Sequence, residues 1–179
     1  MDIKSKIDTI LLCDIANHLG IKTEIDTELV KHAITTGNIW ILDAKYSTLN
    51  VEEASKEDRD FVVTVLNMYR GLSAAILKLP KDTQQSLIEK FELKIIDKYI
   101  QIPGFDGNNE AKYFSIVEAF LQFNRFVEQK EPIDNTHSET EDNYRDMLEQ
   151  YKKYDAVNRH FALNVEEIIA VFSLAPHGI

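Results

Sequence analysis

One long amphipathic stretch constrains this chain more than any other feature. Phe61, Val65, Tyr69, Leu72, Ile76 and Leu79 recur at steps of three and four until Pro80 interrupts them, the period that lines one face of an α-helix. Ser55-Lys56-Glu57-Asp58 precedes the run and reads as a capping box with Asp in the Glu position. At 1.5 Å per residue, a helix from about Lys56 to Leu79 would be about 36 Å long. Such a helix spans an ordinary domain, so the rest of the chain must pack around it as a central strut.

The remaining segments read as shorter helices. Ile7, Leu11, Ile15 and Leu19 stand four apart, widened by Ile10, Leu12 and Ala16; we expect this stripe to face inward on a first helix that Gly20 ends. Asp26 or Thr27 can cap a second helix carrying Leu29, Val30, Ala33 and Ile34, which Gly37 stops. The two predict a helical hairpin, and Ile39 to Leu42 reads as a further helical turn. Beyond Pro80, the spacing of Leu87, Ile88, Phe91, Ile95 and Tyr99 predicts a helix, although Phe91 to Ile95 alternates as a strand would. Asn108 or Asn109 would cap the next helix with Glu110 in its first turn, Tyr113, Val117, Phe120 and Leu121 facing inward, and Phe114, Phe123 and Phe126 thickening the stripe. Ser138-Glu139-Thr140-Glu141 reads as a capping box for a helix bearing Tyr144, Met147, Leu148 and Tyr151, and Asn164 with Glu167 opens the last one before Pro176. The fold class expected is all-α, with an N-terminal helical hairpin over residues 1–50 packed on a larger multi-helix domain over 51–179.

Composition narrows the function classes. Cys13 is the single cysteine of 179 residues, so this sequence holds neither an intramolecular disulfide nor a multi-thiolate zinc site, and a small buried thiol is the natural reading. A net charge of −10 opposes a broad phosphate or anionic-membrane footprint. No run nears the roughly 18 apolar residues of a membrane span, and Asp2, Lys4, Lys6 and Asp8 stand where a signal peptide would begin its apolar core. A cytoplasmic address away from membranes is expected. Between Glu128 and Glu149, eight carboxylates face only Lys130 and Arg145, a balance of −6 within the total of −10. Such a run is a solvated face that a basic partner could also use.

Two polar segments carry the candidate chemistry. In Gly104-Phe105-Asp106-Gly107-Asn108-Asn109-Glu110, Asp106, Asn108 and Glu110 place oxygens at the alternate spacing with which a calcium loop opens. The match then fails, because the positions that need Gly and a bidentate Glu hold Ala111 and Val117. Asp134-Asn135-Thr136-His137-Ser138 offers an imidazole beside a carboxylate, which can serve as a general base or simply order a turn. His18, His32, His160 and His177 form no H-E-x-x-H set, and there is no P-loop, G-x-G-x-x-G, G-x-S-x-G or C-x-x-C. Leu12 to Ile21 superficially resembles a helix-turn-helix, but its reading helix would begin Thr23-Glu24-Ile25-Asp26-Thr27-Glu28, presenting carboxylates to phosphates. Nucleic acid is therefore not an expected partner.

Taken together, Gly104-Phe105-Asp106-Gly107-Asn108 with Glu110, Asn135-Thr136-His137-Ser138, Tyr144, Met147-Leu148, Val65-Leu66-Asn67-Met68-Tyr69-Arg70 and Ala162-Leu163-Asn164 through Ile169 resemble the YfbU family of small bacterial and archaeal helical proteins. The likeness covers nearly the whole chain and is weakest over residues 1–50. Thr136 departs from the Ser of many relatives, and the segment from Lys81 to Ile102 looks longer than in some. The resemblance implies an all-helical fold in two parts and self-association. It implies little about chemistry, although relatives carrying a fused helix-turn-helix domain suggest a sensing or interaction role.

The expected function is a non-enzymatic regulatory, ligand-sensing or protein-interaction module, homo-oligomeric, needing no cofactor and taking a small ligand or a basic protein partner. Its two polar loops would converge on one recognition site built from Asp106, Asn108, Glu110, Asn135 and His137, with Tyr144 and Arg145 as edge contacts. An alternative is a metal-assisted hydrolase or nuclease using Asp106, Glu110 and His137; a second is a purely structural, self-assembling helical protein.

Overall fold

A computed structural model describes residues 1–49, 52–130, 132–156 and 158–176. Asn50 and Val51, where the sequence suggests dividing the chain, lie outside the described residues, as do Glu131 of the acidic segment and His177. The described chain is mostly helical and forms two compact units, Met1–Glu53 and Ala54–Ile179.

The first unit holds α1 (Ile3–His18), α2 (Thr27–Thr36), α3 (Trp40–Lys45) and a 3₁₀ turn at Ser47–Leu49. α1 and α2 pack as a hairpin. Asp2 caps α1 by accepting the Ser5 N–H, and Asp26 caps α2 by accepting the Leu29 N–H. Gly20 and Gly37 take the positive φ, +63° and +78°, that turns the chain out of each helix. The small core joins Cys13, Val30 and Ile34 with Ile10 and Leu42.

The inward stripe expected on α1 is corrected here. Ile7, Leu11, Ile15 and Leu19 are all more than half exposed, because the face that meets α2 is the one carrying Ile10 and Cys13. α1 carries apolar residues on more than one face, so its periodicity has no means of saying which of them is covered.

The second unit is built on α4 (Lys56–Leu77), the strut the sequence indicated. By length and composition alone α4 would suit a bilayer; in the fold Val62, Val65, Leu66, Met68, Tyr69 and Leu72 are fully enclosed. Ser55 caps it by accepting the Asp58 N–H at 3.0 Å, while its hydroxyl donates to the Asp58 carboxylate. α5 (Lys81–Lys90), α6 (Ala111–Gln122), α7 (Glu141–Lys153) and α8 (Val165–Phe172) complete the helices, and α6, α7 and α8 all lie against α4. Gly71 lets α7 approach: a Cβ there would stand 2.1 Å from the Tyr151 hydroxyl and 2.9 Å from the Phe161 ring. The Asn164 and Glu167 capping box of α8 is present in full, with Arg159 bridging to Glu167 at 2.6 Å.

Two expectations for this unit fail locally. The helix after Pro80 stops at Lys90 instead of reaching Tyr99, and Glu92 turns out at φ +50°. A small antiparallel hairpin follows, β1 (Ile95–Ile96) against β2 (Tyr99–Ile100), turning through Asp97 and Lys98 at φ +48° and +68°. Two consecutive positive φ values are those of a type I′ turn. Phe123, expected to thicken the core of α6, is 80% exposed because α6 ends at Gln122.

The hairpin anchors what comes next. The Ile100 N–H donates to the Ser73 hydroxyl, itself bonded to the Tyr69 carbonyl on α4. Buried Gln129 then serves residues 100–102 as a strand would, its amide donating to the Ile100 carbonyl at 3.0 Å and accepting the Ile102 N–H at 2.9 Å. Gln101 returns the favour to the Glu128 carbonyl and the Lys130 N–H. The polar loop that follows is thereby fixed at its base.

Candidate functional site

The loops 104–110 and 134–138 meet directly. Phe105 and Asn135 form an isolated parallel β-bridge, in which the Thr136 N–H donates to the Phe105 carbonyl at 3.0 Å. Gly104 makes the approach feasible: its φ is +112°, and a Cβ there would lie 1.8 Å from the Asp134 carbonyl oxygen. The Phe105 side chain is fully buried, with its ring 5.2 Å from Tyr113 and 5.3 Å from Tyr144. An aromatic pin thus holds the loop pair to α6 and α7.

Glu110 organises the polar side. It is buried, yet its Oε2 accepts the Asp106 N–H and the Thr140 hydroxyl, each at 2.9 Å, and its Oε1 accepts the N–H groups of Thr140 at 2.8 Å and Glu141 at 2.7 Å. A carboxylate offers about four lone-pair sites, so four donors saturate it. Those last two N–H groups start α7. The Ser138 capping box expected there does not form, and Thr140 as N-cap makes no side-chain cap bond; Ser138 instead donates to the Thr136 carbonyl. α7 is capped from thirty residues upstream, with a negative charge at its positive end. Glu110 also precedes α6 without side-chain capping by Asn108 or Asn109, which corrects the expected cap of that helix.

The other residues of the expected site separate into two kinds. Asp106 is buried and accepts the Asn108 N–H at 3.0 Å and the Asn109 side-chain amide at 2.7 Å. The Asn108 N–H chiefly holds its carboxyl below the usual range, against burial and with help from Asn109 and His137. Asn135 Oδ1 accepts the N–H groups of Gly107 and His137, at 3.0 and 2.9 Å. Tyr144 is no edge contact: it is completely buried, donates its O–H to the Gly104 carbonyl at 2.9 Å, and burial pushes its phenol well above the ordinary value. Asn108, Asn135, His137 and Arg145 are the four expected residues that reach solvent. Among the described residues, no three His, Cys, Asp or Glu side chains gather to hold a metal ion.

Arg145 belongs to a different feature. Its guanidinium lies 4.8 Å from the Phe61 ring centre and pairs with Glu141 at 2.6 Å; Glu141 also accepts the Tyr113 O–H at 2.7 Å. Burial pushes the Glu141 carboxyl up, but Tyr113 and Arg145 outweigh it and hold it below its ordinary value. Lys112, over the Tyr113 ring, pairs with Asp58 at 2.6 Å. Beside this network runs an open groove of about 560 Å³ between α4 and α7, lined by Lys56, Asp60, Phe61, Arg145, Leu148 and Lys152. Reading from the sequence did not find the groove, though Arg145, Leu148 and Lys152 share a helical face at steps of three and four. The acidic segment is also less bare than its composition suggests, since Glu128, Asp134, Glu141 and Glu149 pair with Arg70, Lys94, Arg145 and Lys153.

The family model of the YfbU domain matches residues 16–173. The chain belongs to the YfbU family. The matched span takes in both loops, the hairpin of β1 and β2 and every helix of this YfbU domain after α1, of which it includes only the last residues. Comparison with curated proteins finds no match.

Proposed function

We propose that this YfbU protein is a non-enzymatic, cytoplasmic regulatory or interaction module that works through self-association, and that its paired loops hold the geometry of the domain. Glu110 carries this reading. It is the buried acid at the junction of the loops, and its four donors leave no lone pair directed at a metal, a water or a substrate. A hydrolase built on Asp106, Glu110 and His137 would need that oxygen free. The surface adds support: Ile3, Ile7, Leu11, Leu12, Ile15, Leu19 and Trp40 all stand in solvent in the first unit, and contiguous exposed apolar patches mark contact sites.

The test has two readouts on the full chain. Sedimentation velocity across a wide concentration range is expected to give a concentration-dependent oligomer. Melting curves with millimolar Ca²⁺, Mg²⁺, Mn²⁺ or Zn²⁺ are expected to be unmoved, and chromogenic phosphodiesters to remain intact. A monomer at every concentration, or metal-dependent turnover lost in Asp106→Asn, would overturn the reading.

A further inference from the structure

We propose that the Asp106–Gly107 step is a site of backbone isomerisation, at which the chain reroutes through the aspartate side chain to isoaspartate, and that Asn135 guards it; this rests on the reading above that the paired loops hold the geometry of the domain. Asp106–Gly107 is the single Asp–Gly step of the sequence, which has no Asn–Gly. Aspartate is most prone to this reaction before glycine, because the absent side chain leaves the next amide nitrogen unshielded and the backbone free to bring it onto the side-chain carboxyl carbon. Packing keeps glycine here nonetheless. A Cβ at Gly107 would stand 2.6 Å from the Asn135 amide nitrogen and 3.1 Å from its Cγ.

The reaction needs no partner but water. The Gly107 nitrogen forms a bond to Asp106 Cγ as the Cγ–O bond of the protonated carboxyl breaks; the amide hydrogen and that hydroxyl leave together as water, and a succinimide ring closes. Water then opens the ring at one of its two carbonyl carbons. Opening at Cγ restores aspartate. Opening at the former main-chain carbonyl leaves a free α-carboxylate and a backbone that runs through Cγ, one methylene longer. The water lost is regained, and nothing is oxidised or reduced.

The closed loops hold every reacting group away from this path. The Gly107 N–H donates to Asn135 Oδ1 at 3.0 Å, which favours the protonated, unreactive nitrogen. Asn135 is itself pinned, since the same oxygen accepts the His137 N–H at 2.9 Å and its backbone bridges to Phe105. The Asp106 carboxyl is tied at both oxygens, to the Asn108 N–H at 3.0 Å and the Asn109 amide at 2.7 Å, so turning Cγ onto Gly107 breaks both bonds. Those donors also hold the carboxyl below its usual range and so keep it ionised, whereas ring closure takes the acid. Isomerisation therefore runs through the opened loops, and it makes the opening permanent. The added methylene carries Gly107 away from Asn135 and the carboxylate away from Asn108 and Asn109.

Prolonged incubation of the full chain in near-neutral buffer, with isoaspartate located by electron-transfer fragmentation of its peptides, tests the site and its guard. Wild type is expected to isomerise at Asp106 on the order of a hundredfold more slowly than a free peptide of residues 104–110, a ratio set by how rarely the loops open. Asn135→Ala, checked for native circular dichroism, is expected to raise the rate about tenfold, the worth of one hydrogen bond. Hydrogen exchange at the Gly107 amide of the wild type reads the same guard without a substitution, and is expected to be slow. A wild type that isomerises as fast as the peptide overturns both the guard and the reading of the loops on which it rests. A folded Asn135→Ala no faster than wild type, or a Gly107 amide that exchanges rapidly while those of Thr140 and Glu141 stay protected, overturns the guard and leaves the paired loops standing.

Discussion

A single carboxylate does the work for which the sequence offered a whole motif. Asp106, Asn108 and Glu110 have the spacing of oxygen ligands, but the carboxylate oxygens of Asp106 and Glu110 point at protein donors, and Glu110 closes the N-terminus of a helix thirty residues away. Replacing Glu110 by Gln keeps the shape and puts an amide N–H₂ where two donors already point. The expected loss is about 3 kcal/mol, or on the order of 8 °C in melting temperature, read by thermal denaturation. Asp106 gives a pH signature. Its folded pKa lies below the unfolded value, so its contribution is fully present above about pH 4 and is lost as pH falls through the folded value. Acid titrations followed by circular dichroism should show wild type losing stability more steeply in that range than Asp106→Asn.

Among the elements, legibility followed how local the cause was. Ser55, Asp26 and the Asn164–Glu167 box cap the helices they precede, and α4 runs close to the limits its periodicity gave, because each depends on residues a few positions apart. The end of α5 and the start of α7 depend on long-range contacts. The chain leaves the helix after Lys90 because Ile100 is drawn to Ser73 on α4, and α7 begins where Glu110 reaches it. Close packing of α7 on α4 gives two further expectations. Gly71→Ala would drive a methyl into Tyr151 and Phe161 and should destabilise by about 1–3 kcal/mol. The buried Tyr151 hydroxyl has no hydrogen-bond partner among the described residues, so Tyr151→Phe should be within about 0.5 kcal/mol of wild type or more stable in urea denaturation.

For the whole molecule, the all-α class and family were legible from the ordered pieces of the sequence, while the covered and uncovered faces of α1 were not. Periodicity shows that a helix has an apolar stripe; it carries no record of whether that stripe meets the same chain. The candidate site was half legible in the same sense. The two loops do meet, through Phe105 and Asn135, but which of their polar atoms remain unpaired depends on partners thirty residues distant. The central proposal is that these loops are an internal clamp closed by Glu110. Amide hydrogen exchange by NMR tests it most directly at the N–H groups of Thr140 and Glu141, because the first amides of a helix exchange rapidly unless something accepts them. Strong protection in the full chain, unchanged by millimolar Ca²⁺, Mg²⁺ or Zn²⁺ and lost in Glu110→Gln, is the expected result. Rapid exchange in the wild type, or protection that shifts when metal is added, would contradict it.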